Sequence, residues 1–391
     1  MKRVPLVVEL FCGCGGMSTG LLKAGMQVAL GIDANKSATE TYAHNHGHVG
    51  ARSSAEDIRK LEPGELHERL TLRRGQPLVV TGGPPCQPFS IIGKRLALED
   101  DRGDLVFEFL RLLRGLEADA FIFENVANFA RIEGGAIAER LERGLKKAGY
   151  ATSSGILTAS DFGVAQMRKR FFILGVRGRR APGLPEPTHG TLELLGQEPV
   201  ATCADVLGEL PDVGTPEARR YWNHEPTFHS PAMLEMLGHL KPGERDPKSH
   251  HDRLEANRPA YTLRAGFGNY SPLRPIHYKY DRVITVRESA RIQSFPDSFV
   301  WPVGISRLQQ YRQVGNAVPP LLARALGVHL AEAVGFALDP ERYGAEPDPG
   351  EPPAARTMEE HLKERRHLIR GASVGRPASS ASDLLKSSGR L

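Results

Sequence analysis

The sequence predicts an α/β fold built around a mostly parallel sheet. Three observations lead there. Over the first 180 residues, short apolar runs alternate with amphipathic stretches, and polar or glycine-rich residues close each run. No repeat of fixed period is present, which argues against a solenoid or propeller. Buried parallel strands read as continuous apolar runs, and helices are needed to cross back between them. Ligands of such sheets bind beyond the carboxyl ends of the strands, so the residues after each run are where chemistry is expected.

The first strand is Leu6–Phe11, apolar except for Glu9 and followed by a glycine-rich turn. The opening MKRVPLVVELFCG lacks a small-residue cleavage site, so it reads as this strand and not as a signal peptide. Val28–Ile32, ending at Asp33, is the second strand; Leu78–Thr81 and Phe121–Phe123 come next. Leu105, Phe109, Leu112, Leu113 and Leu116 recur at helical spacing between these last two. Phe171–Val176 is a further strand. Residues 178–280 then turn rich in Pro, Gly, His and Arg and lose long helical periods, which predicts a smaller, irregular second domain. Regular patterning resumes over 281–338, first at Arg282–Thr285; Glu288–Gln293 reads as helical, and a proline-initiated helix runs from Pro319 or Pro320 to about Leu338. The tail 339–391 is expected to be mostly disordered, with one short helix at Met358–Arg370.

A hydrophobic share of 40% and a charged share of 25% exclude a wholly disordered chain, and 391 residues are enough for two or three domains. Four cysteines are too few for a disulfide scaffold and fit a reducing cytoplasm. No apolar run approaches the ~18 residues that cross a bilayer, so no membrane role is expected. The 51 Lys and Arg exceed the 46 Asp and Glu, and the net charge of +5 is a mild pointer to a polyanionic partner.

Four segments carry candidate chemistry. Phe11-Cys12-Gly13-Cys14-Gly15-Gly16 joins the first strand to a helix, where glycines allow a tight turn and close backbone approach to a ligand. Asp33 follows Gly13 by 20 residues and can take ribose hydroxyls, which points to a nucleoside-containing cofactor, either a dinucleotide or S-adenosylmethionine. Cys12 and Cys14 have no second pair at zinc spacing, so no metal is expected. Gly82-Gly83-Pro84-Pro85-Cys86-Gln87-Pro88-Phe89-Ser90 holds one cysteine among three prolines, which suits a nucleophile fixed at a set angle. The alternative for Cys86 is a buried small hydrophobe. Glu124-Asn125-Val126 follows a buried strand, where desolvation raises a carboxyl pKa toward general-acid use; a helix cap or surface ion pair is the alternative. In Gln166-Met167-Arg168-Lys169-Arg170, extended backbone would aim Arg168 and Arg170 to one face, for phosphate or a base carbonyl, or else form a solvated basic edge.

Taken in order, these segments resemble the DNA cytosine-5 methyltransferases, of bacterial or phage type. The likeness extends to Arg287-Glu288-Ser289-Ala290-Arg291 with Ser294-Phe295-Pro296-Asp297, and to Gln313-Val314-Gly315-Asn316-Ala317-Val318. It covers residues 6–335 apart from most of 178–280. Cys12 and Cys14 fill variable positions of the glycine motif, and Ala317 stands where Ser is frequent. The resemblance implies a Rossmann-like S-adenosylmethionine-dependent methyltransferase domain made of 1–177 and 281–338, with 178–280 as target-recognition domain. It implies that Phe11 packs near adenine, that Gly13, Gly15 and Gly16 surround the methionine part, and that Asp33 takes the ribose. Asp57 and Ile58 would contact adenine, and Asn316 and Ala317 the methionine end.

The implied chemistry fits the residue types. A thiolate adding to C6 of cytosine gives C5 carbanion character, a role for Cys86. Glu124 would neutralise N3, Arg168 would hold O2, and Arg170 would support the Cys86 loop. The target must leave the duplex, and Ile91–Asp104 is suited to be a mobile lid. Double-stranded DNA is the expected partner of Arg219, Arg220, Tyr221, Trp222, His250, His251, Arg253, Arg258, Tyr261, Arg264, Phe267, Tyr270 and Arg274. A cognate restriction endonuclease acting separately, and a monomeric state, are further expectations. A tRNA methyltransferase, a catalytically dead DNA-binding protein and a nicotinamide dehydrogenase are the competing readings.

Overall fold

In the computed structural model the described residues are 3–85, 105–178, 180–190, 196–265 and 275–353. Up to Pro352 they belong to one compact unit. The nucleophile loop from Cys86, the lid segment, Phe267, Tyr270, Arg274 and the tail helix lie outside the described residues.

Seven strands form the central sheet: β1 (Leu6–Leu10), β2 (Gln27–Asp33), β3 (Arg52–Ala55), β4 (Leu78–Gly82), β5 (Ala120–Val126), β6 (Tyr150–Thr158) and β7 (Lys169–Arg177). Their order is β3-β2-β1-β4-β5-β7-β6, parallel except that β7 runs antiparallel to β5 and β6. Every residue of β1 and β4 is buried, because helices cover both faces. Those helices are α1 (Gly16–Lys23), α2 (Lys36–His46), α3 (Pro63–Arg69), α4 (Leu105–Gly115) and α5 (Ala136–Lys147). Strand order reverses between β1 and β4, and this switch point opens a crevice at the carboxyl ends of the strands.

The predicted strands are all present, with different ends. Phe11 has φ 58°, so β1 stops at Leu10. The Phe121–Phe123 strand is longer than expected, because β5 pairs with β7 as far as Val126 opposite Arg170. Glu124 and Asn125 therefore sit within a strand, not after one.

Within 178–280 the described segments hold two-residue strand pairings, isolated bridges, a 3-10 turn at Glu217–Arg220 and the short helices α6 (Cys203–Leu207) and α7 (Pro231–His239). Beyond it come α8 (Val286–Ile292), α9 (Arg307–Asn316) and α10 (Pro320–Val334). Regular strand at Arg282–Thr285 is limited to a single bridge, Ile276 with Val283. The last long helix ends at Val334, four residues short of Leu338, on a left-handed Gly335 cap with φ 80°. Arg307–Val334 is long and apolar enough to cross a membrane, yet it is two helices interrupted before Pro320 and over half of its window is buried. α10 lies tightly on α1: a side-chain carbon on Gly20 would stand 2.3 Å from the Pro320 carbonyl oxygen. That contact returns the end of the fold to the glycine turn.

Candidate active site

The crevice is a cavity of about 650 Å³ shared by the ends of β1, β2, β4 and β5 and by one face of α9. Phe11, Gly13, Gly16, Asp33, Asp57, Ile58, Asn316 and Ala317 line it, as do Pro84, Pro85, Glu124 and Arg170. Gly15 and Arg168 do not line it, and Cys86 follows Pro85 outside the described residues.

The turn after β1 is held by β2: the Cys12 amide donates to the Ile32 carbonyl at 3.0 Å and the Gly13 amide to Asp33 Oδ2 at 2.9 Å. Gly13 has φ 53°, and a side chain there would meet nothing within 4 Å, so the cavity side of the turn stays open. Gly15, at φ 94°, faces the other way. A carbon on it would meet the His46 ring at 2.3 Å, so it serves packing and the start of α1 and does not line the cavity as the methionine reading expects. Gly16 seals the turn against Ala317 and the Val318 carbonyl. Asp33 accepts the Asn35 amide on Oδ1 at 2.8 Å; burial raises its pKa while the two backbone donors oppose that rise.

Asp57 is both a cap and a cavity residue. It accepts the Arg59 amide at 3.1 Å and pairs with the Arg59 guanidinium at 2.6 Å, which holds its pKa down at about 2. Arg111 on α4 fixes the adjoining turn, donating from Nη2 to the Ile58 and Leu61 carbonyls at 3.2 and 2.8 Å. On the opposite wall, Cys14 Sγ contacts the Gln313 carbonyl at 3.7 Å and Gln293 donates to the Ala317 carbonyl at 2.7 Å.

At the other end of the cavity, Arg170 Nε lies 3.0 Å from Glu124 Oε1. Burial raises the Glu124 pKa, and the charges of Arg170 and Arg168 oppose the rise. Asn125 donates to the Pro84 carbonyl at 3.0 Å, tying the proline loop to β5. Of the two arginines only Arg170 lines the cavity; Arg168 lies one residue before β7, its carbonyl accepting the Ala159 amide at 2.8 Å. Its guanidinium is buried and, among the described residues, donates once to the Leu263 carbonyl at 3.1 Å and leaves Nε and Nη2 without partners.

Several groups escape the sequence reading. Glu9 lines the cavity from the middle of β1 and accepts the Ser18 amide at 3.0 Å and the Ser18 hydroxyl, while burial pushes its pKa up to about 8. A lone carboxyl in an otherwise apolar strand was its signal. Arg312 enters from α9 beside the motif residue Gln313, on a helix with no clear apolar period. Arg253, expected to face DNA, is buried and bonds the Leu237 carbonyl and Asp281, each at 2.6 Å. Cys12 and Cys14 are buried thiols whose pKa burial pushes up. No group of three or more His, Cys, Asp or Glu among the described residues is arranged to hold a metal ion.

Residues 6–332 match the family model described as C-5 cytosine-specific DNA methylase. The type II methyltransferase M1.HphI of Haemophilus parahaemolyticus is 33% identical over 340 residues, covering 84% of this chain and 86% of its own. M.XorII of Xanthomonas oryzae is 30% identical, with 84% and 85% covered. Among solved structures, a prophage-encoded Escherichia coli protein assigned as a DNA modification methyltransferase superposes with TM-score 0.66 and 25% identity, over 85% of this chain and 99% of its own. With motifs, fold and relatives in agreement, the chain belongs to the C-5 cytosine-specific DNA methylase family and is a DNA cytosine-5 methyltransferase.

Proposed function

We propose that the chain moves a methyl group from S-adenosylmethionine to C5 of a cytosine swung out of a specific double-stranded DNA sequence, through a Cys86–C6 adduct. The observation that carries this reading is one continuous cavity, with the glycine turn, Asp33, Asp57 and Ile58 at one end and Pro85, Glu124 and Arg170 at the other. Its donor set suits the cofactor. Five carboxyl groups line it; Glu56, Asp57 and Glu124 pair with Arg69, Arg59 and Arg170, and burial pushes the Glu9 pKa up to about 8, which leaves Asp33 to accept from the ligand's hydroxyl groups. Bound there, S-adenosylmethionine supplies an electrophilic methyl group.

The protein's own residues do the rest. Asp33 accepts ribose hydroxyls, Ile58 and Phe11 flank the adenine, and Asn316 and Ala317 close the methionine end. Cys86 adds to C6 as thiolate, forming the S–C6 bond while the ring's electrons move toward C5. Glu124, whose pKa burial raises against the pull of Arg170 and Arg168, gives a proton or hydrogen bond to N3 as charge develops. Arg170, beside it, takes the O2 carbonyl, and Arg168 braces the Cys86 loop; this exchanges the roles the sequence assigned them. Removal of the C5 proton by a base or water then expels the thiolate.

Residues 178–280 form the target-recognition domain in this reading, with Arg219, Arg220, Arg258, Tyr261 and Arg264 exposed for DNA. The type II relatives support a modification role beside a separate restriction endonuclease, and a monomer working in the cytoplasm belongs to the same reading. Bisulfite sequencing of DNA from cells expressing the chain should reveal methylcytosine in one sequence context. Cys86→Ala should abolish it, and duplexes carrying 5-fluorocytosine should trap the wild type covalently. Methylation that persists in Cys86→Ala would remove the adduct from the mechanism.

A further inference from the structure

Among the described residues, seven large apolar side chains are exposed, and three of them, Val126, Met167 and Tyr261, belong to segments that meet at the active site. Val126 closes β5 opposite Arg170, lines the cavity and is 43% exposed, so it stands on the rim at the Glu124 end. Met167 lies three residues before Arg170. Its amide donates to the Ala260 carbonyl at 2.8 Å, and Gln166 pairs with Ala260 in a parallel bridge, which sets Met167 beside Tyr261. Gln166, Arg168, Ala260 and Leu263 on this seam are buried, whereas Met167 and Tyr261 are 44% and 48% exposed. Polar groups next to the three are already engaged. Asn125 donates from Nδ2 to the Pro84 carbonyl at 3.0 Å and accepts the Val126 amide on Oδ1 at 2.9 Å. The Thr262 hydroxyl donates to the Met167 carbonyl at 3.2 Å. In the same two segments Lys169 and Arg264 are exposed and suit the phosphates on either side of a nucleotide.

We infer that Val126, Met167 and Tyr261 form an apolar rim that bears on the sugar of the target nucleotide and selects deoxyribose over ribose. This rests on the proposed reading in which a cytosine is swung into the cavity. With the ring against Glu124 and Arg170, its sugar is one bond behind, at the edge that Val126 occupies. The C2′ methylene of deoxyribose can pack against such a rim. A 2′-hydroxyl in its place would give up water without gaining a protein partner. That hydroxyl is what separates RNA from DNA at a single nucleotide.

Single-turnover methyl transfer by the full chain tests this on three duplexes carrying the sequence context that bisulfite sequencing returns. They differ only at the target nucleotide: deoxycytidine, ribocytidine, or 2′-fluoro-2′-deoxycytidine, which shares the preferred pucker of ribose but brings no hydroxyl. The wild type should methylate the ribocytidine duplex about tenfold more slowly than the deoxycytidine one, the scale of one hydroxyl buried without a partner. It should methylate the fluoro duplex within about twofold of deoxycytidine. Val126→Thr and Met167→Gln, each offering the hydroxyl a partner, should narrow the ribose penalty to about threefold or less. Each variant is compared with itself across the duplexes, so damage to the fold cancels from the ratio. Equal wild-type rates on deoxycytidine and ribocytidine would overturn the inference. So would a penalty shared by the fluoro duplex, which traces to sugar pucker, or one left unchanged by both substitutions. A wild type that methylates none of the three would instead overturn the cytosine reaction on which the inference rests.

Discussion

Arg170 and Glu124 face each other across the antiparallel pairing of β7 and β5, with Nε 3.0 Å from Oε1. Both side chains are largely buried, so neither charge is tolerable without the other. The pair sets two opposing pressures on Glu124: burial favours the neutral acid and the guanidinium favours the carboxylate. A group balanced in this way can gain and lose a proton at modest cost, as general-acid work requires.

Arg170→Gln should lower single-turnover methyl transfer by about 10² or more, the usual scale for loss of one preorganised charged donor. Without the guanidinium, the Glu124 pKa moves further up, so the pH profile of the residual activity shifts to higher pH. Glu124→Gln should also lose about 10² to 10⁴, but with a profile from which this ionisation is missing. An unshifted profile in Arg170→Gln would mean that the pair does not set the acid's pKa.

Gly83 offers a test of position alone. A side-chain carbon on it would stand 2.7 Å from Glu124 Oε2, too close to be accommodated without moving the carboxyl group. The far end of a side chain can yield, so the fold should tolerate Gly83→Ala. Methyl transfer should fall by about 10² while melting temperature changes little, because misplacing a reacting group by an ångström carries a penalty of that order. Measuring both quantities on the same preparation separates a displaced acid from a damaged fold.

Glu9 makes stability depend on pH. Its folded pKa is raised, to about 8 from 4.5. Below about pH 4.5 both states hold the proton and Glu9 exacts no penalty. Between 4.5 and 8 the unfolded chain releases the proton while the folded one keeps it, so folded stability declines through that window. Glu9→Gln does not titrate, and its amide oxygen can still accept from Ser18. It should unfold like the wild type near pH 4.5 and be more stable at pH 8.5, on the order of a few kcal/mol. Thermal melts at the two pH values would show it; an identical difference at both would mean that Glu9 does not titrate in this range.

What the sequence makes legible is local. Leu6–Leu10 and Leu78–Gly82 are buried on both faces, so their apolar runs mark them without knowledge of any partner. The glycine turn and Asp33 were legible as one end of the cavity because a turn and a strand end carry their own chemistry, whereas Asp57 came from the family resemblance. What was not legible depends on distant pairing. The reach of β5 to Val126 is set by β7, and the course of Gln166–Arg168 is set by Ala260. α9 escaped because its polar face turns toward the cavity and Ser37, which blurs the apolar period that marks a surface helix.

Arg168 is the clearest departure from a stability optimum. It is 1% exposed and, among the described residues, makes one hydrogen bond and leaves two nitrogens unpartnered. Burial and the neighbouring Arg170 both press its pKa well below the usual value, against a weaker pull from Glu124. Replacing a poorly compensated buried ion by an apolar group of similar length is often stabilising by about 1–4 kcal/mol. Arg168→Met should therefore raise the melting temperature of the chain without DNA. If Arg168 serves the Cys86 loop as proposed, the same change should also reduce covalent trapping on 5-fluorocytosine duplexes. A rise in stability with undiminished trapping would leave Arg168 without a catalytic purpose. A fall in stability would show that its cation is compensated in the folded chain. Only the paired outcome, a firmer fold and a poorer enzyme, marks the guanidinium as a group held in the interior for the reaction at the expense of the fold.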